Sequence, residues 1–104
     1  MPINGITFPI TQVGETHGQW AVDTDENGSP IADASSATFR LWHRDNGRVV
    51  VDDSAASILA DGSIEYTRQP ADVAIAGRYL GRFTVVHVDG SVSKSPTIFI
   101  TIEP

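Results

Sequence analysis

The chain has 104 residues, enough for one domain of ordinary size that buries roughly two thirds of its unfolded surface. Seven Lys and Arg against thirteen Asp and Glu give a formal charge of −6. That balance argues against a nucleic-acid partner, because binding a phosphate backbone needs clustered cations. Cysteine is absent, which excludes a disulfide framework and a thiolate metal site.

No apolar run approaches membrane-spanning length, so no membrane partner is expected. The opening "MPINGITFPI" has neither a basic head nor a long apolar stretch, so it does not read as a signal peptide. The chain is expected to be made and folded in a cytoplasm.

In chain order, "GITFPI" alternates Ile6, Phe8 and Ile10, with Pro9 between. Residues 1–5 before it read as an N-terminal arm. "GQWAVD" alternates Trp20 and Val22. "DENGSP" (25–30) is a turn. "SATFRLWHRD" sets Ala37, Phe39 and Leu41 on one face against Thr38, Arg40 and Trp42. "DNG" (45–47) before "RVVV" is a hairpin signal. "DDSAASILA" (52–60) fits either a strand or a turn of helix. After "DG" (61–62), "SIEYTR" alternates Ile64 and Tyr66. "PADVAIAG" fits one helical turn near residues 70–76, with Pro70 at its start and Gly77 after it. "GRYLGRFTVVHV" then places Tyr79, Gly81, Phe83, Val85 and His87 on one face. "DG" (89–90) ends that strand. In "PTIFITIEP", Ile98, Ile100 and Ile102 oppose Thr97, Phe99 and Thr101.

The period is two almost throughout, and turn residues punctuate it at short intervals. The expected fold is all-β: a single antiparallel sandwich of the immunoglobulin type over residues 1–104, with roughly seven to nine strands. At the join of crossover and strand, Asp72…Gly77-x-Tyr79 has the spacing of a tyrosine corner. There a buried Tyr returns its hydroxyl to the crossover backbone.

Candidate chemistry is sparse. Asp23, Asp25 and Asn27 before Gly28 resemble the start of a calcium loop. The bidentate Glu such a loop requires is missing, since Ala34 occupies that position, and the stretch reads better as an acidic hairpin tip. His17, His43 and His87 lack metal-seeding spacing and read as edge-of-core residues. No nucleophile elbow or nucleotide-binding glycine loop occurs. Asp52 and Asp53 are adjacent, so on a strand they should point to opposite faces and make a poor acid/base pair. Neither an enzyme nor a cofactor is expected.

What remains is aromatic surface. With Leu41 inward, Trp42 faces out; with Ile98 and Ile100 inward, so does Phe99. Large outward rings are either covered by another segment of the chain or held for a partner. Trp42, Phe99 and the N-terminal residues Ile3, Ile6 and Phe8 are therefore the candidate contact residues.

The order of motifs resembles the immunoglobulin-like domains of tailed-phage virion proteins, in particular the N-terminal domain of the baseplate upper protein family. The residues that carry it are Asp25, Gly28 and Pro30; Ala37-Thr38-Phe39-Arg40-Leu41; Asn46-Gly47-Arg48-Val49-Val50; and Gly62-Ser63-Ile64-Glu65-Tyr66. Asp72…Gly77-Arg78-Tyr79 and Asp89-Gly90…Ser95-Pro96 follow, so that the match spans about residues 5–103. The resemblance implies a non-enzymatic structural protein of a bacteriophage particle, made in the host bacterial cytoplasm and located in the virion. Its partners would be other virion proteins of tail, baseplate or neck, in many copies by symmetry, with copies of itself as a further partner. Baseplate members carry this domain at the start of a longer chain, whereas this chain stops at Pro104. A capsid decoration protein is therefore an alternative, as is a carbohydrate- or receptor-binding module using Trp42 or Trp20. A calcium-dependent adhesion module is a third.

Overall fold

Long strands with clean alternation need neighbours on both sides, and the two longest have them. In the computed structural model, which describes residues 5–104, β4 (Ala34–His43) and β7 (Gly77–His87) pair antiparallel along most of their length. Their inward residues Phe39, Leu41, Tyr79, Phe83 and Val85 are buried. The rings of Phe39 and Phe83 sit 4.6 Å apart across the pair.

The remaining strands extend the sheet in both directions. A hairpin at residues 44–48 returns the chain as β5 (Val49–Ile58) beside β4. The Asn46 side chain holds that hairpin by accepting the Arg48 amide at 2.9 Å. At its far end β5 leaves β4, and Ser57 and Ile58 pair with β6 (Ile64–Thr67) instead. β6 in turn pairs with β3 (Gln19–Val22). On the other flank, β8 (Val92–Lys94) and β9 (Thr97–Glu103) follow one another along β7. Two short strands, β1 (Gly5–Thr7) and β2 (Thr11–Gln12), border β9.

The sheet curls so that its ends face each other across the core. Trp20 of β3 lies 5.7 Å from Phe39 of β4, and Tyr66 of β6 lies 4.8 Å from the same ring. Ile98, Ile100 and Ile102 of β9 close the other flank of the core.

The fold is nearly all-β, with nine strands among the described residues and one 3-10 turn at Pro70–Val73. It departs from the expected arrangement in two places. The sheet is mixed rather than antiparallel, because β1 and β2 both run parallel to β9. The alternation read through Ile6, Phe8 and Ile10 breaks after Phe8. Pro9 has no amide to donate and interrupts the strand. The pattern then slips by one residue, leaving Ile10 56% exposed and burying Thr11. Residues 52–58, ambiguous in sequence, are strand throughout.

Two tyrosines fix the crossover between β6 and β7. The Tyr79 hydroxyl donates to the Ile75 carbonyl at 2.7 Å. The Tyr66 hydroxyl donates to a carboxylate oxygen of Asp72 at 2.6 Å, and that oxygen also accepts the Gln69 amide at 2.8 Å. Asp72 thus closes the 3-10 turn and holds a core tyrosine at once. Burial, then the Asp72 carboxylate, pushes the Tyr66 phenol well above the ordinary tyrosine range. Gly77 begins β7 at φ 154°, and a side chain there would meet the His43 ring, 2.8 Å from the Cβ position. His43 in turn stands edge-on to Tyr79, ring centroids 5.1 Å apart. Glycine at this join lets the histidine and tyrosine rings pack.

A candidate docking face

The registers of four strands bring the outward aromatics into one row. Val49 of β5 pairs with Trp42 of β4, Trp42 with Leu80 of β7, and Leu80 with Phe99 of β9. All four oppose the inward positions, so they share the outer face of the sheet. Trp42, Leu80 and Phe99 are each half-buried. Trp42 and Phe99 were predicted separately; the structure places them in the same row and adds Leu80 between them.

Phe99 owes part of its cover to β1. A Cβ at Gly5 would lie 2.4 Å from the Phe99 ring, so only glycine lets the first strand pass this close. Ile6 and Phe8 are also half-buried and pack against the core, within the chain. Ile3 lies outside the described residues. Of the expected N-terminal arm only residue 5 is described, and it belongs to β1.

The neighbouring rows on this face are cationic. Arg40 pairs in register with Arg82, and Arg82 Nη2 donates to Thr97 Oγ1 at 2.7 Å. One row further, Thr84 pairs with Lys94. The face holds two open depressions. One, of about 680 Å³, is lined by Trp42, Val49, Arg40, Arg82, Asp53 and Lys94, among others. A second, of about 520 Å³, takes in Leu80, Phe99, Gly5 and Glu26 and shares Arg82 with the first.

Only one of these cations is neutralised. Arg40 Nη1 reaches Asp52 at 2.9 Å and Asp53 at 3.4 Å. Among the described residues Arg82 and Lys94 make no ion pair, and Arg82 Nε is enclosed without an acceptor. The approach of both Asp52 and Asp53 to one guanidinium corrects the expectation that adjacent carboxylates diverge. Asp53 has φ 51°, in the left-handed region, where the register of β4 and β5 shifts between Phe39 and Leu41. That bulge turns Asp53 to the side Asp52 already occupies.

The other sequence candidates are placed elsewhere. Trp20 is 2% exposed under the Arg68 guanidinium and offers no open platform, because the curl of the sheet carries β3 over the core. Asp25 spends its Oδ1 on the amides of Asn27 and Ser29, at 2.9 and 3.0 Å, as a turn cap. Asp23 and Asn27 flank that exposed tip. No group of three or more His, Asp or Glu among the described residues is arranged to hold a metal ion. His87 bridges the Ala32 carbonyl and Ser93 Oγ, each at 2.7 Å. Asp61 and Asp89 cap their own turns, and hydrogen bonds from Ser63 and Ser91 hold their carboxyls below the usual range.

Neither a family model, nor a curated protein, nor a solved structure matched this chain.

Proposed function

We propose that the chain is a non-enzymatic structural protein of a bacteriophage particle. In this reading it is an immunoglobulin-like domain that docks onto tail, baseplate or neck proteins by the outer face of β5, β4, β7 and β9. The observation that carries the docking role is the row of Trp42, Leu80 and Phe99. It lies half-open on a face with two open depressions, beside the rows of Arg82 and Lys94. Burying such a side chain from full exposure contributes about 1.5–3 kcal/mol, and a half-buried one has about half of that left to gain. Three adjoining ones suffice for the centre of an interface, with the cations setting register at the rim.

The immunoglobulin-like reading draws support from the connectivity. The strands that face each other across the core are joined only where β5 changes partner. The first strands run parallel to the last, and Tyr79 ties the start of β7 to the crossover before it. The virion address rests on the order of sequence motifs described above. Cross-linking of purified virions followed by mass spectrometry tests both parts. Cross-links from Lys94 to its neighbours in tail, baseplate or neck, other copies of this chain included, are expected, and to capsid proteins if the chain is a decoration protein. Absence of the chain from the particle would sink the proposal.

A carbohydrate-binding role is the second reading, because Trp42 and Asp53 line the same open depression. Saturable glycan binding that disappears in Trp42→Ala would favour it.

A further inference from the structure

The charges of this molecule are unevenly spread. Three loops meet at the end where β4 begins and β7 ends: residues 23–33, 59–63 and 88–91. The Val88 amide donates to the Asp33 carbonyl at 2.9 Å, and Gly62 approaches the Ile31 carbonyl, so the loops form one tip. They contain no Lys or Arg, and Asp33, Asp61 and Asp89 are all exposed there. In their midst Val88 is 76% exposed, the highest value among the large apolar side chains described. The outer face holds the cations: among the described residues Arg82 and Lys94 make no ion pair on one side of the aromatic row, and exposed Arg78 precedes Leu80 on its other side, while Asp52 and Asp53 occupy Arg40 and Glu26 of the first loop borders the Phe99 depression.

We infer that the occupant of this outer face is the acidic tip of a second copy of this chain, with Val88 seated against Trp42 and Leu80 and its carboxylates toward Arg82, Lys94 and Arg78. This rests on the docking role proposed above and names the partner. The charges select the geometry. Two copies meeting face to face would set cation against cation, which opposes a symmetric dimer. Tip-to-face contact joins unlike patches, so each copy still offers a free tip and a free face. Such a contact propagates into a ring or a filament. The chain's net negative charge excludes a nucleic acid as the better fit for the same cations.

Sedimentation velocity at low and high salt tests this, with two exposed double variants. One is Arg78→Glu with Lys94→Glu, which removes the face. The other is Val88→Lys with Asp89→Asn, which removes the tip and keeps a turn-forming residue. Thermal melts confirm that both variants fold. The unaltered chain should assemble beyond a dimer at low salt and dissociate at high salt. Each variant alone should self-associate on the order of 100-fold more weakly. An equal mixture of the two should form a one-to-one dimer and nothing larger, because one intact face and one intact tip remain. A chain that is monomeric at every salt concentration, assembly that survives in either variant, or a mixture without dimers would each overturn the inference. Virion cross-links from Lys94 to a different protein would overturn it too while leaving the docking role standing. Absence from the virion with self-assembly intact would instead remove the proposed address.

Discussion

Asp72 does two jobs with one oxygen, and this makes it the most exacting polar residue in the fold. It is 6% exposed and accepts both the Tyr66 hydroxyl and the Gln69 amide. A buried carboxylate that loses a donor pays its desolvation with less compensation. Tyr66→Phe should therefore cost about 2–3 kcal/mol in chemical denaturation. Tyr79→Phe removes a bond to a neutral carbonyl and should cost about 1 kcal/mol. The pair also separates by pH. The folded state binds the Tyr66 proton more tightly than the unfolded chain does, so its contribution is complete below pH ~10. It is lost as pH climbs from there toward the raised value. Stability above pH ~10 should fall more steeply in the unaltered protein than in Tyr66→Phe, and equal slopes would refute the assignment. Sequence spacing exposes the Tyr79 corner, because Gly77-x-Tyr79 is a local pattern. It leaves the Tyr66–Asp72 bond hidden, because Tyr66 alternates as any core residue would.

Strand β5 shows what alternation leaves unspecified. Which residues share a face follows from period two, and β4, β7 and β9 obey it. Which strands become neighbours depends on contacts between distant segments. The parallel course of β1 and β2 beside β9, and the change of partner along β5, therefore have no local signature. Nor does the bulge at Asp53, since "VDDSA" contains no glycine to announce a left-handed residue. From Val49 to Ala56 β5 has no described strand on its outer side, an edge open to pairing with other chains. The bulge and the two aspartates twist and charge that edge. Asp53→Asn keeps a side chain that tolerates the left-handed region and loses only an exposed ion pair, so it should cost below about 1 kcal/mol. Asp53→Val places a β-branched residue there and should cost about 1–3 kcal/mol, while exposing a flatter, uncharged edge. Thermal melts and light scattering after heating distinguish them: only the valine variant should aggregate. Equal melting temperatures and scattering would show that the bulge is incidental.

At the scale of the whole molecule, the beginning of the chain closes on its end. β9 is bordered by β7 on one side and by β1 and β2 on the other, and it buries Ile98, Ile100 and Ile102 to 1% exposure or less. Removing one buried isoleucine side chain to alanine costs about 2–5 kcal/mol, and a domain holds only about 5–15 kcal/mol in total. Three together, with the backbone bonds of a central strand, exceed what the rest of the sheet can lose. A chain ended at residue 96 should show no cooperative unfolding transition, whereas Ile100→Val should retain one at a slightly lower midpoint. The same closure governs kinetics. Two of the strands that border β9, β1 and β2, come from the opposite end of the sequence, so the final sheet forms only after a loop of nearly the whole chain is closed. Refolding of the full chain, followed by the fluorescence of buried Trp20, should take milliseconds to seconds, as for other sheets built on distant pairings. A microsecond phase carrying the full Trp20 signal, or a cooperative transition in the shortened chain, would mean that the core assembles without its last strand.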